Sequence, residues 1–230
     1  MTNQVVMQNK SLAKQKIFTL ASPILILILG HFSAQYFTAL WGNWAWPGVF
    51  CVYWGCMLGM VSLYGGMKRV KGWFAKPIGS RWWLVLAVLI GLSAFPILFF
   101  PNLDVLNSIP MIAAWFLFAI INSTCEELYW RGFLLDETAE LPFHIGKIYT
   151  SLLFIAMHPL MLGVFSKMQS FDPDNPFALL PFLMILTLIT VVYCLIYLKT
   201  RSLRWPILSH FLTDLGNLSI FVFMNLLTIG

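Results

Sequence analysis

PMIAAWFLFAIINSTCEELYWRGFLL (residues 110–135) is an apolar run long enough to cross a bilayer, yet its second half holds two adjacent glutamates and an arginine. A membrane-spanning helix needs about 20 mostly apolar residues. Ionisable groups inside such a helix are costly, and they face the bundle interior, pair with one another or line a polar pathway. The stretch therefore points to a membrane helix bundle, and it leaves Glu126, Glu127 and Arg131 in need of a partner or a task.

The rest of the chain agrees. Of its 230 residues 60% are hydrophobic and only 10% are charged, against about 25% charged in a soluble domain. The expected fold is all-α: one integral-membrane domain over residues 1–230, with no room for a second, soluble one. Apolar runs fall near 17–40, 47–66, 83–100, 110–135, 146–163, 178–198 and 205–228, which predicts seven transmembrane helices, or eight. The first run follows Lys10, Lys14 and Lys16 without a small-residue cleavage site, so it is expected to be a retained span. Cys51, Cys56, Cys125 and Cys194 lie in apolar segments without a CxxC pair and are expected to be packing residues. The bilayer is the expected partner, and no nucleic acid.

Basic residues alternate between loops. They gather in the N-terminal tail, in 67–82 (Lys68, Arg69, Lys71, Lys76, Arg81) and in 199–204 (Lys199, Arg201, Arg204), and are sparse in the loops between. By the positive-inside rule the N-terminus is cytoplasmic and the C-terminus outside, in the cell (inner) membrane. Trp41, Trp44 and Trp46 are expected to form an outer aromatic belt, and Trp73, Trp82 and Trp83 an inner one.

Helical spacing sorts the intramembrane polar residues. Glu127 and Arg131 stand at i and i+4, glutamate first, the favourable order for a pair. Glu126 is turned about 100° from Glu127 and has no local cation. His210 and Asp214 share a face that Asn217 extends, and Phe154 and His158 share another. Counted from the cytoplasmic ends of their helices, Glu126 lies ~13 Å deep, His158 ~16 Å, His210 ~8 Å and Asp214 ~14 Å, at about 1.5 Å per residue. One shared polar site in the cytoplasmic half explains them together, with Glu127–Arg131 as structural support. His31 and Gln35, one turn apart on the first span, are expected to be packing glue. His144 has no expected task, and Asp172, Asp174 and Asn175 in FDPDNPF (171–177) read as a solvated turn.

Three of these segments resemble a known family. EELYWR (126–131) resembles the EExxxR motif of the CAAX-protease and bacteriocin-processing family of intramembrane proteases; FIAMH (154–158) resembles its FxxxH, and HFLTD (210–214) its HxxxN or HxxxD. The similarity covers about 110–217, a family-like catalytic core. It implies an intramembrane endopeptidase acting on a membrane-associated or lipidated peptide or protein, in CAAX-type processing, bacteriocin or peptide maturation, self-immunity or abortive infection. It also implies a conical cavity open to the cytoplasm and the bilayer.

Peptide hydrolysis needs an activated water, a proton donor for the leaving amine and a stabilised oxyanion. Glu126 is the candidate general base, His158 would hold the same water, and His210 would face the oxyanion. Asp214 stands where the family often has asparagine, so either it carries a proton or it orients His210. Glu126, His158 and His210 are also credible zinc ligands, with a water in the open position, while Phe154 and Asn217 join Glu127 and Arg131 as structural support. A non-catalytic immunity or scaffold protein is the alternative. An ion-coupled transporter fits less well, because no paired halves are visible. A serine protease is weaker still, since Ser209 and His210 are adjacent and point apart on a helix.

Overall fold

The computed structural model describes residues 2–168 and 174–227. Every regular element among them is helical. The elements are α1 (Thr2–Trp41), α2 (Trp46–Met60), α3 (Met67–Trp73), α4 (Trp82–Leu92), α5 (Ile109–Glu126), α6 (Ile145–Met157), α7 (Leu179–Thr200), α8 (Arg204–Gly216) and α9 (Ser219–Phe223). With short helical extensions, six segments are long and apolar enough to cross a membrane: Lys16–Trp44, Trp46–Gly65, Trp82–Val105, Ile109–Glu137, Ile145–Phe165 and Leu179–Thr200.

The seventh predicted span, 205–228, is not one helix. It breaks after Gly216, where Leu218 takes a left-handed backbone at φ 51° and the short α9 begins. The ring of Phe95, at the broken end of the third span, packs so closely on Gly216 that an added Cβ would lie 2.6 Å from it. The broken segment still runs the length of the bundle. Beyond α9, Asn225 accepts a hydrogen bond from the backbone N–H of Lys167 at 2.6 Å and donates to the carbonyl of Phe165 at 3.1 Å. Irregular backbone at membrane depth is tolerated only where it is buried in protein or lines a cavity.

Prolines shape the other spans. Pro23 in α1 has no N–H for the carbonyl of Thr19, and the Ser22 hydroxyl donates to that carbonyl instead, at 2.7 Å. With its one proton so used, Ser22 accepts from the hydroxyl of Tyr129, also at 2.7 Å, which ties α1 to the charged stretch of the fourth span. Pro96 and Pro101 break the third span into π- and 3₁₀-helical turns, Phe95–Phe99 and Phe100–Val105. Pro159 sits where α6 widens into a π-helical turn over His158–Leu162.

The basic segments meet at one end of the bundle. Leu203 N–H donates to the Trp73 carbonyl at 2.8 Å, Ile78 N–H to that of Thr200 at 2.9 Å, and Arg204 Nε to that of Phe74 at 2.8 Å. Asp136 accepts from Trp73 Nε1 at 2.9 Å and from the Tyr197 hydroxyl at 2.8 Å, while Arg69 pairs with Glu137 and Lys16 with Glu140. Trp73 is thus buried and hydrogen-bonded rather than a member of an interfacial belt, and Trp46 packs on Phe118 in the core. Trp41, Trp44 and Trp82 are exposed, as a belt requires.

Packing follows chain order with one consequence for the site. α1 lies on α2 and α6 on α7, but α8 is wedged between α4 and α5, and α9 leans on α5. Outward faces carry bare apolar side chains such as Leu63, Ile97, Leu152 and Met184, as a lipid-facing surface does. His31 and Gln35 hydrogen-bond one another, and His31 Nδ1 reaches the Leu160 carbonyl at 2.7 Å, so they glue the first span to the fifth. Cys125 and Cys194 are buried and Cys51 is exposed, all as free thiols. His144, at φ 63°, ends the loop before α6 and its ring meets Lys147 Nζ. Positions 171–173, including Asp172, and the side chains of Lys10 and Lys14 lie outside the described residues.

Candidate active site

The charged stretch straddles a change of helix type. Glu126 ends the α-helical part of the fourth span, and Glu127 opens a π-helical stretch, Glu127–Leu134. His158 occupies the corresponding junction on the fifth span, directly after Met157. Such widened turns are rare and recur at functional sites, because they re-aim side chains that a regular helix would stack.

Glu127 and Arg131 pair as the spacing predicts, Nη1 to Oε1 at 2.9 Å, and both are 1% exposed or less. The guanidinium lies 4.2 Å from the centre of the Phe154 ring and 5.4 Å from that of Tyr193. Glu127 does more than support the helix, however. The same Oε1 meets His210 Nδ1 at 2.9 Å, so this carboxylate holds the arginine and the histidine together. A carboxylate paired with arginine only accepts, which puts the Nδ1 proton of His210 on that bond and turns Nε2 away from it.

His210 Nε2 faces two further carboxyls, Glu126 Oε2 at 3.7 Å and Asp214 Oδ2 at 3.8 Å. Neither is a hydrogen bond. Among the described residues Glu126 Oε2 and Glu127 Oε2 accept none, although both are buried. His158 donates Nδ1–H to the carbonyl of Phe154 at 3.0 Å, so in the neutral ring the lone pair is on Nε2. Phe154 stacks edge-on against His158 at 5.0 Å, and that fixes the ring plane.

Asp214 does not orient His210; Glu127 does. Asp214 is held instead by Asn122, whose Nδ2 donates to Oδ2 at 3.0 Å, and by Ser219, whose hydroxyl donates to Oδ1 at 3.0 Å. Both of its oxygens are acceptors. Spacing alone did not single out Asn122, though it stands four residues before Glu126 on the same face. Trp54, Tyr193 and Ser219 also escape a reading by sequence, since nothing in their local spacing marks them.

Glu126, His158, His210, Asp214, Asn122 and Asn217 line one cavity of about 240 Å³. Its polar wall lies between the fourth, fifth and broken last segments. The remainder is apolar and extends away from the basic end: Phe182 lies near the start of α7, Phe50 near the start of α2, and Met168 beyond the fifth span. The helices thus bring every predicted site residue to one place, with Glu127 and Arg131 directly behind it. Among the described residues no three histidine, cysteine, aspartate or glutamate side chains are grouped so as to hold a metal ion.

The segment matches one known family model, described as type II CAAX prenyl endopeptidase Rce1-like, over residues 107–216. All three motifs fall inside it. No curated protein and no solved structure matches the chain.

Proposed function

We propose that the chain, which matches the Rce1-like type II CAAX prenyl endopeptidase family over residues 107–216, hydrolyses a peptide bond of a membrane-associated or lipidated protein, with Glu126 activating the attacking water. One observation carries the reading. Glu126 presents a buried carboxylate oxygen without a hydrogen-bond partner among the described residues, on the wall of a cavity that it shares with His158 and His210.

The water oxygen attacks the peptide carbonyl carbon as Glu126 accepts one of its protons. The carbonyl becomes an oxyanion facing His210, and His158 Nε2 keeps the water in line. The C–N bond then breaks as the proton held by Glu126 passes to the leaving amine. Product acid and amine balance the peptide and water consumed. No step requires a metal ion. The apolar length of the cavity suits a lipid chain or a membrane-embedded peptide, and the basic end of the bundle is the cytoplasmic one.

Purified protein in liposomes, given a farnesylated CAAX-type peptide, tests this. E126Q should lose about 10²–10⁴-fold in cleavage rate, the range of a general base, while keeping its thermal unfolding profile. Wild-type cleavage should also survive a zinc chelator. Cleavage retained by E126Q removes glutamate-activated water from the reading.

A further inference from the structure

Hydrolysis through an oxyanion needs preorganised donors beside the scissile carbonyl, and most polar groups on this cavity wall have none to spare. The Ser219 hydroxyl is committed to Asp214. Thr213 donates to the Ser209 carbonyl at 3.0 Å, so the Tyr193 hydroxyl, 2.8 Å away, donates to Thr213. His158 has given its Nδ1 proton to Phe154. Glu126 accepts, and Asp214 accepts on both oxygens.

Asn122 differs. Its Oδ1 receives Trp54 Nε1 at 3.0 Å, and an indole N–H only donates. The amide therefore cannot be flipped: Nδ2 faces Asp214 and gives it one of two protons, at 3.0 Å. The other N–H belongs to a cavity-lining side chain that is 5% exposed. It sits close to the reacting groups, because Asp214 Oδ2, which holds the first proton, is 3.8 Å from His210 Nε2, itself 3.7 Å from Glu126 Oε2. Trp54 and Asp214 grip the amide from two sides, so it needs no reorganisation to donate.

We propose that the Asn122 side-chain amide donates a hydrogen bond to the oxyanion of the peptide under cleavage, beside His210, with Trp54 and Asp214 as its positioning residues. This rests on the proteolytic reading above. It assigns Asp214 a different task from donation: it aims the neighbouring donor.

The experiment compares wild type, E126Q, N122A, N217A, W54F and the double variant N122A/D214N on the farnesylated peptide, with thermal unfolding recorded for each. Loss of the oxyanion donor lowers kcat by about 10²–10³-fold and leaves KM nearly unchanged. D214N places an amide donor where the carboxylate was, so the double variant should regain at least about tenfold of that loss, a rescue that a merely structural asparagine would not give. W54F keeps the amide but frees its orientation, and kcat should fall by a smaller factor. Turnover lost in E126Q but kept in N122A overturns this inference alone; turnover kept in E126Q overturns the assignment of Glu126 as the base, and absence of cleavage by the wild type overturns the proteolytic reading. A larger kcat loss in N217A than in N122A also overturns it. Should N122A fail to fold, W54F decides, and an unchanged kcat there refutes the assignment.

Discussion

Glu127 Oε1 serves Arg131 and His210 at the same distance, 2.9 Å, so removing its charge has two consequences. E127Q leaves a fully buried guanidinium without its anion, and breaking a buried pair in this way costs about 3–5 kcal/mol. It also weakens the contact that aims His210 Nε2 at Glu126. R131M removes the cation but leaves the Glu127–His210 bond in place. Both variants should melt earlier in detergent. E127Q alone should also lose kcat per folded molecule by at least about tenfold, an interaction with a charged group being worth roughly 1.5–3 kcal/mol. Equal kcat in the two variants would mean that the glutamate serves the helix only. At this scale the sequence was legible wherever charge marked the residue: a histidine or a second carboxylate inside a span is costly enough to draw notice. Asn122 obeys the same four-residue spacing, but an uncharged amide in a span passes for ordinary packing glue. Trp54 reaches it from 68 positions away, a distance that no local pattern carries.

Elements explain why the polar groups converge. His210 reaches Glu126 because α8 lies deep between α4 and α5, and that depth depends on a missing side chain. An added Cβ at Gly91 would meet Leu212 Cβ at 2.7 Å and the Ser209 carbonyl at 2.8 Å. In the same contact Ser209 donates its hydroxyl to the Ala87 carbonyl at 2.7 Å. Small residues let membrane helices approach in this way. G91A should push α8 outward, cost about 1–3 kcal/mol as overpacking does, and lower kcat through the displacement of His210. Normal melting and normal turnover in G91A would show that α8 has slack. The existence and order of the helices were readable from apolar runs, since burial in lipid demands them. Their irregularities were legible only where a proline marked them, at Pro96, Pro101 and Pro159. Gly216 weakens the helix just before the break, but a lone glycine in an apolar span does not specify one, and the left-handed turn at Leu218 arises where Phe95 packs against Gly216. Pro159 marks the π-helical turn at His158, but the one at Glu127 depends on which carbonyl each N–H finds, which composition does not specify.

At the scale of the whole molecule, the ends of the bundle differ in charge and the cavity is asymmetric between them. The segments carrying Lys68–Arg81 and Lys199–Arg204 are tied to one another at one end through the Trp73, Thr200 and Asp136 contacts, and Lys16 joins that end through Glu140. Asn225 is tied at the other, beside Phe165 and Lys167. The last segment, although broken, therefore carries the chain from the basic end to its opposite. Cationic side chains are retained on the cytoplasmic side, so the basic end should face the cytoplasm, with the candidate catalytic groups closer to it and the apolar reach of the cavity pointing to the far leaflet. Two single-cysteine variants, in a background whose four native cysteines are replaced by alanine, test the orientation. K76C lies in the basic loop, and N43C lies in the short connection between α1 and α2 at the opposite end. A membrane-impermeant maleimide added to intact cells or right-side-out vesicles should label N43C and spare K76C; in inverted vesicles the pattern should reverse. Labelling of K76C from outside would invert the molecule in the membrane. A cytoplasmic substrate would then have to enter by the apolar end of the cavity, past Phe182 and Met168.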